Sequence, residues 1–177
     1  MKLWMFGLLL MGGLMLPAEE LLSDFGKLRF DGKSSILEGN NVKAIFFCTP
    51  KNAMSYVKIS TEKDALVLNL DKAFASGTRS LQMNVRVTDR KFFQAGENEQ
   101  TLCVQGPKGS RLTLYFEGYT AEKKHRYQRS VLELNGEKQI FSFKSGFAEP
   151  VTSLSLRYDF SADGIYKFYS IDLRSCE

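Results

Sequence analysis

Beyond residue 30, hydrophobic and polar residues alternate with a period of two in one segment after another. The cleanest case is 81–88, where Leu81, Met83, Val85 and Val87 fall on one side and Gln82, Asn84, Arg86 and Thr88 on the other. Successive side chains of a β-strand point to opposite faces, so this pattern predicts a strand with one buried and one wet face. The alternation recurs at 111–119, with Leu112, Leu114 and Phe116 inward and Arg111, Thr113, Tyr115, Glu117 and Tyr119 outward. It recurs again at 153–160, with Leu154, Leu156, Tyr158 and Phe160 inward and Ser155, Arg157 and Asp159 outward. Less regular β-favouring runs at 42–48, 56–60, 65–70, 101–105, 127–134, 139–144 and 165–173 complete the set. Turn formers punctuate these runs at Pro50, Gly106-Pro107, Gly109, Asn135-Gly136 and Asp163-Gly164; Asn and Gly there tolerate the positive φ of tight turns. No long helical period follows residue 30, and a parallel sheet needs crossover helices. The pattern therefore predicts an all-β protein, a two-sheet antiparallel β-sandwich or jelly roll, with 30–177 as a single domain.

The N-terminal region reads differently. Lys2, the uncharged run from Leu3 to Leu16 and Pro17-Ala18 have the form of a signal peptide over 1–18, cleaved after Ala18. A bilayer span needs about 20 apolar residues, so the run is short for a stable membrane span; an uncleaved anchor is the alternative. The segment implies a secreted or periplasmic, cell-envelope location. In 19–29, Leu21, Leu22, Phe25 and Leu28 recur at helical spacing and predict a short N-terminal helix, an irregular post-signal segment being the alternative.

Composition narrows the chemistry. The chain has 177 residues, 44% hydrophobic and 12% aromatic, enough for one core. Its formal charge of +4 is a mild excess and gives no case for nucleic acid. A single histidine excludes a multi-histidine metal site, and three cysteines cannot form a four-cysteine zinc site. Export would place Cys48, Cys103 and Cys176 in an oxidising compartment, where one disulfide and one free thiol are the simplest arrangement. The three pairings stay open. Catalysis has little support. No nucleophile motif surrounds Ser110, Ser130 or the cysteines, and no glycine-rich phosphate loop follows a strand. Glu117 and Asp159 are candidates for a glycoside hydrolase-like activity only in being acidic and outward-facing, and nothing in the sequence fixes their separation. The only basic cluster, Lys123-Lys124-His125-Arg126 with Arg129, reads as a solvated loop or as a contact for an anionic polymer.

From residue 65 to 174 the order of elements resembles carbohydrate-binding modules of the galactose-binding-like β-jelly-roll type. The likeness begins with the turn Ser76-Gly77-Thr78 and the strand from Leu81 to Val87. It continues through Leu112-Thr113-Leu114-Tyr115-Phe116, a basic polar stretch leading to Tyr127, and Gln139-Ile140-Phe141-Ser142-Phe143. The run from Leu154 to Phe160, then Gly164, then Tyr169-Ser170-Ile171-Asp172-Leu173, is similar to the family's closing hairpin. The resemblance implies a jelly roll that binds carbohydrate without catalysis. It also implies a structural calcium with oxygen ligands, for which Asp172 stands at the matching aspartate position, with Asp31 or Glu38 as partner.

The outward residues of the alternating strands are the candidate binding face: Asn84, Arg86, Tyr115, Glu117, Arg157 and Asp159. Amide, carboxylate and guanidinium groups pair with sugar hydroxyls, and a tyrosine ring can lie on a pyranose. The arginines suit carboxylate or sulfate groups, so the expected partner is a neutral or anionic glycan. The competing reading is a structural or protein-interaction sandwich contacting envelope proteins. Convergence of Arg86, Tyr115 and Arg157 in one groove would favour glycan.

Overall fold

The computed structural model describes residues 19–22, 29–30, 36–38, 42–49, 58–62, 65–74 and 80–176. The predicted signal segment and Asp31 lie outside them. Thirteen strands are present among the described residues: β1 (Glu19–Leu22), β2 (Arg29–Phe30), β3 (Ile36–Glu38), β4 (Val42–Thr49), β5 (Lys58–Glu62), β6 (Ala65–Asn69), β7 (Ser80–Val87), β8 (Gly96–Gln105), β9 (Arg111–Tyr119), β10 (His125–Glu133), β11 (Gln139–Phe147), β12 (Ser153–Phe160) and β13 (Ile165–Cys176). The helical content of the described residues is one 3-10 turn, Arg90–Phe93, capped by Asp89 accepting from the Lys91 amide at 2.9 Å.

Two antiparallel sheets form. One has the order β10-β9-β12-β7-β4-β3-β2; the other runs β11-β8-β13-β6-β5, with β1 added to β13. From β6 onward the chain changes sheet at every connection except the β9–β10 hairpin. That alternation is the jelly-roll wrap, and it follows from strands that are each apolar on one face only. Leu66, Leu68, Met83, Val85, Leu102, Val104, Leu114, Leu156 and Ile171 are all buried between the sheets. Aromatic rings fill the centre edge-on: Tyr158 meets Phe168 at 5.4 Å, and Phe160 meets Tyr166 at 4.8 Å. The register of β13 against β8 shifts between Phe168 and Ser170. The extra residue lets Phe168 and Ile171 both point inward despite their odd spacing.

Three expectations are corrected. Glu19–Leu22 is not helical. It is extended and pairs with the far half of β13, beyond the reach of β6, where β13 has backbone groups to satisfy. The segments around Asp163-Gly164 do not form a closing hairpin, because β12 and β13 belong to opposite sheets and the turn carries the chain around the edge of the core. There, Gly164 has φ +129° and lies against Pro107, a position that a side chain would obstruct.

The expected disulfide is also not found among the described residues. Cys103 is a buried free thiol, and burial pushes its pKa up. Cys48 pairs in register with Leu81, at the Phe160–Ile165 end of the sandwich, whereas Cys176 pairs with Glu97 at the opposite end. The intervening length of β13 is roughly 35 Å at about 3.3 Å per residue, far beyond the roughly 4.4–6.8 Å between Cα atoms that a disulfide spans.

Candidate functional site

The seven-stranded sheet turns one face to the core and the other to solvent. Register aligns its outward residues in rows across the strands. One row runs Arg129, Tyr115, Arg157, Asn84 over β10, β9, β12 and β7. The next runs Tyr127, Glu117, Ser155, Arg86. Beside them His125 stands opposite Tyr119, and on the other flank Asp159 lies between Thr113 and Gln82. All six predicted binding residues thus share one face of one sheet. The alternation of β7, β9 and β12 set their orientation, and antiparallel pairing brought them side by side.

Arg157 organises the centre. Its Nη1 donates to Glu117 Oε2 at 3.2 Å, its Nε lies 3.2 Å from Asp159 Oδ1, and its guanidinium carbon sits 3.9 Å from the centre of the Tyr115 ring. Glu117 is only 8% exposed, and a buried polar group is costly unless it is paired, as it is here. His125 Nε2 stands 3.4 Å from the same Glu117 oxygen. Burial raises the Asp159 pKa from the ordinary aspartate value, with Arg157 acting against that shift. Arg157, expected from the sequence to suit a ligand's anionic group, is paired here with two carboxylates of the protein.

Aromatic rings form an arc around this cluster. His125 stacks on Tyr119 at 4.9 Å and on Tyr127 at 5.5 Å, and Tyr127 meets Tyr115 at 6.1 Å with a tilt of 54°. Rings that stack on one another, or lie under Arg157, offer less planar area to a sugar than separate tyrosines would. What they do offer is hydroxyls. The phenol oxygens of Tyr115, Tyr119 and Tyr127 have no hydrogen-bond partner among the described residues, whereas those of Tyr158, Tyr166 and Tyr169 are all bonded. Tyr119 and Tyr127 are 48% and 59% exposed.

Two shallow depressions share this face. One, of about 350 Å3, is lined by Tyr115, Glu117, His125, Tyr127, Arg129 and Arg157. The other, of about 320 Å3, includes Asn84, Arg86, Glu117, Tyr119 and Ser155. Glu117 lines both, so the two adjoin there, as two lobes of a groove with Glu117 at its waist. Tyr115 and Arg157 line the first lobe and Arg86 the second. Arg111 is on the same face but four residues along β9 from Tyr115, opposite Glu133, and lines neither depression.

The basic cluster read from the sequence is divided by β10. His125 and Arg126 are strand residues rather than loop residues, and they part company: His125 enters the groove while Arg126 Nη2 pairs with Glu149 at 2.7 Å. Asp172 lies in β13 of the other sheet, in register with Thr101 and Glu20. Among the described residues no group of three or more His, Cys, Asp or Glu is placed to hold a metal.

Comparison with known proteins places this geometry in a fold class. No family model and no curated protein matches the chain. Solved structures do. The CBM22-1 xylan-binding domain of Paenibacillus barcinonensis Xyn10C is similar with a TM-score of 0.57 at 14% identity, over 89% of this chain and 95% of that one. A structure described as "CBM4 structure and function" gives 0.51 at 8% identity, over 76% and 87%. The enzymatically active domain of bacteriophage CBA120 tailspike protein 4 gives 0.58 at 8% identity over 77% of this chain, which spans 20% of that domain. The protein thus has a two-sheet antiparallel β-sandwich fold similar to that of these structures.

Proposed function

We propose that the protein is a non-catalytic, exported carbohydrate-binding module that holds an oligosaccharide in the groove on the seven-stranded sheet. The observation that carries this reading is the set of three phenol hydroxyls, from Tyr115, Tyr119 and Tyr127, that have no hydrogen-bond partner among the described residues and gather on one open sheet face beside Asn84, Arg86 and Glu117. A sugar presents paired donors and acceptors, and this face supplies both types at fixed positions on strands rather than on loops. The xylan-binding domain with the same fold lends support from outside the chain. Glu117 and Asp159 hold one guanidinium between them instead of facing each other across a cleft, which speaks against acid–base hydrolysis by this pair. Export rests on the signal-like sequence of residues 1–18. No described helix is long and apolar enough to cross a membrane.

The test is binding of the purified protein to a panel of neutral, uronic and sulfated glycans, with a Tyr119→Phe/Tyr127→Phe double variant beside it. Loss of two hydroxyl hydrogen bonds at about 0.5–1.5 kcal/mol each should weaken binding on the order of tenfold. Failure of the folded protein to bind any glycan, or equal binding by the double variant, overturns the reading.

A further inference from the structure

We infer that the groove takes an acidic glycan, an oligomer whose uronate or sulfate groups are gripped by Arg129 at one end and Arg86 at the other; this rests on the carbohydrate-binding reading above. The argument starts from which charges are already answered. Arg157 lies between Glu117 and Asp159, so this trio is closed internally and leaves one negative charge over. Elsewhere on the surface Arg126 pairs with Glu149 and Arg174 with Glu99, so neither is available to a ligand. Arg129 and Arg86 differ: each lines one of the two depressions, and neither has a carboxylate partner among the described residues.

Together Arg86, Arg129 and Arg157 outnumber Glu117 and Asp159, which leaves the groove net positive even with His125 neutral. A guanidinium offers parallel N–H donors that match a carboxylate or sulfate edge, which a hydroxyl-bearing neutral sugar does not use fully. Position sets the size of the ligand. Arg129 is on β10 and Arg86 on β7, with β9 and β12 between them. Three inter-strand steps of about 4.8 Å put the two strands roughly 14 Å apart. One sugar cannot reach both arginines, so the ligand is an oligomer laid across the strands. It passes over the shared waist at Glu117, where Tyr127 and Tyr119 supply hydroxyls from the rim.

The experiment titrates the protein with polygalacturonate, a sulfated galactan and neutral xylan, at low salt and at high salt. An Arg86→Gln/Arg129→Gln variant and a charge-matched Lys58→Gln/Arg90→Gln variant run in parallel. We expect at least one acidic polymer to bind tenfold or more tightly than xylan, with affinity falling as salt rises. The groove variant should lose that advantage with its thermal melt unchanged, while the charge-matched variant keeps it. Whichever of the two acidic polymers prevails identifies carboxylate or sulfate as the group held. Equal binding of xylan and the acidic polymers, or equal loss in both variants, overturns the inference and leaves the carbohydrate-binding reading standing. Absence of binding to all three polymers, extended to the wider panel above, overturns both.

Discussion

Arg157 is the residue on which the exposed face depends. Its side chain is 22% exposed, it bridges Glu117 and Asp159, and it covers one side of Tyr115. Partly buried charges persist when they are paired, and here one cation serves two carboxylates. Asp159 feels the imbalance. Burial raises its pKa first, Arg157 lowers it, and the nearby Glu117 raises it further. A carboxyl whose pKa is raised in the folded state contributes stability below its unfolded pKa and loses it as pH rises through the folded value. Asp159→Asn removes that titration. The stability of the wild type relative to Asp159→Asn should therefore fall as pH climbs from below the ordinary carboxylate range to above it. Urea denaturation at a series of pH values reads this directly, and a difference that stays flat or grows with pH would contradict the assignment.

At the scale of elements, β10 shows how an edge strand is held. It pairs only with β9, and its other edge faces β11 of the opposite sheet. Gln128 spans that gap. Its Nε2 donates to the Gly146 carbonyl at 2.9 Å, and its Oε1 accepts from the Gly146 amide at 3.1 Å. One side-chain amide thus imitates a strand partner and occupies an edge otherwise open to pairing with another chain. Gln128→Ala should cost about 1–3 kcal/mol, the range for two such hydrogen bonds, and should speed hydrogen exchange at the Gly146 amide. Unchanged exchange there would mean the bridge is not formed in solution. The strand His125–Glu133 carries polar residues on both faces except at Val131 and Leu132, so periodicity could not say which side faces the groove. Its pairing with β9 decided that, by setting Arg129 opposite Tyr115 and Tyr127 opposite Glu117. In β9 the inward Gly118 lets β12 approach: a Cβ there would stand 2.6 Å from the Ser153 carbonyl oxygen.

Across the whole molecule the two sheets are joined by apolar packing and by a polar bond through the core. Gln100, fully buried on β8, donates from Nε2 to the Tyr158 hydroxyl on β12 at 2.6 Å. Burial pushes the Tyr158 pKa far up, so the phenol stays neutral and its oxygen accepts. Tyr158→Phe keeps the ring packed against Phe168 but leaves the Gln100 amide without this partner, at a cost of about 1–3 kcal/mol for an unsatisfied buried group. Thermal melting should show a lower Tm with the groove's ligand affinity unaltered. A melt equal to that of the wild type would mean another group satisfies Gln100.

The alternation of apolar and polar residues by itself determined the fold class, the inward faces of β7, β9 and β12 and the outward set Asn84, Arg86, Tyr115, Glu117, Arg157 and Asp159. It could do so because a period of two is local: each residue's face follows from its neighbour's, whatever the strand pairs with. Helical spacing in 19–29 misled for the complementary reason, since Glu19–Leu22 takes its conformation from the distant backbone of β13. Only the tertiary structure decided which strands lie side by side, that Arg157 is occupied by Glu117 and Asp159, that Cys48 and Cys176 stand at opposite ends, and that His125, Tyr127 and Arg129 complete the groove. Those facts depend on register between segments far apart in the chain, where backbone hydrogen bonding and core packing act together.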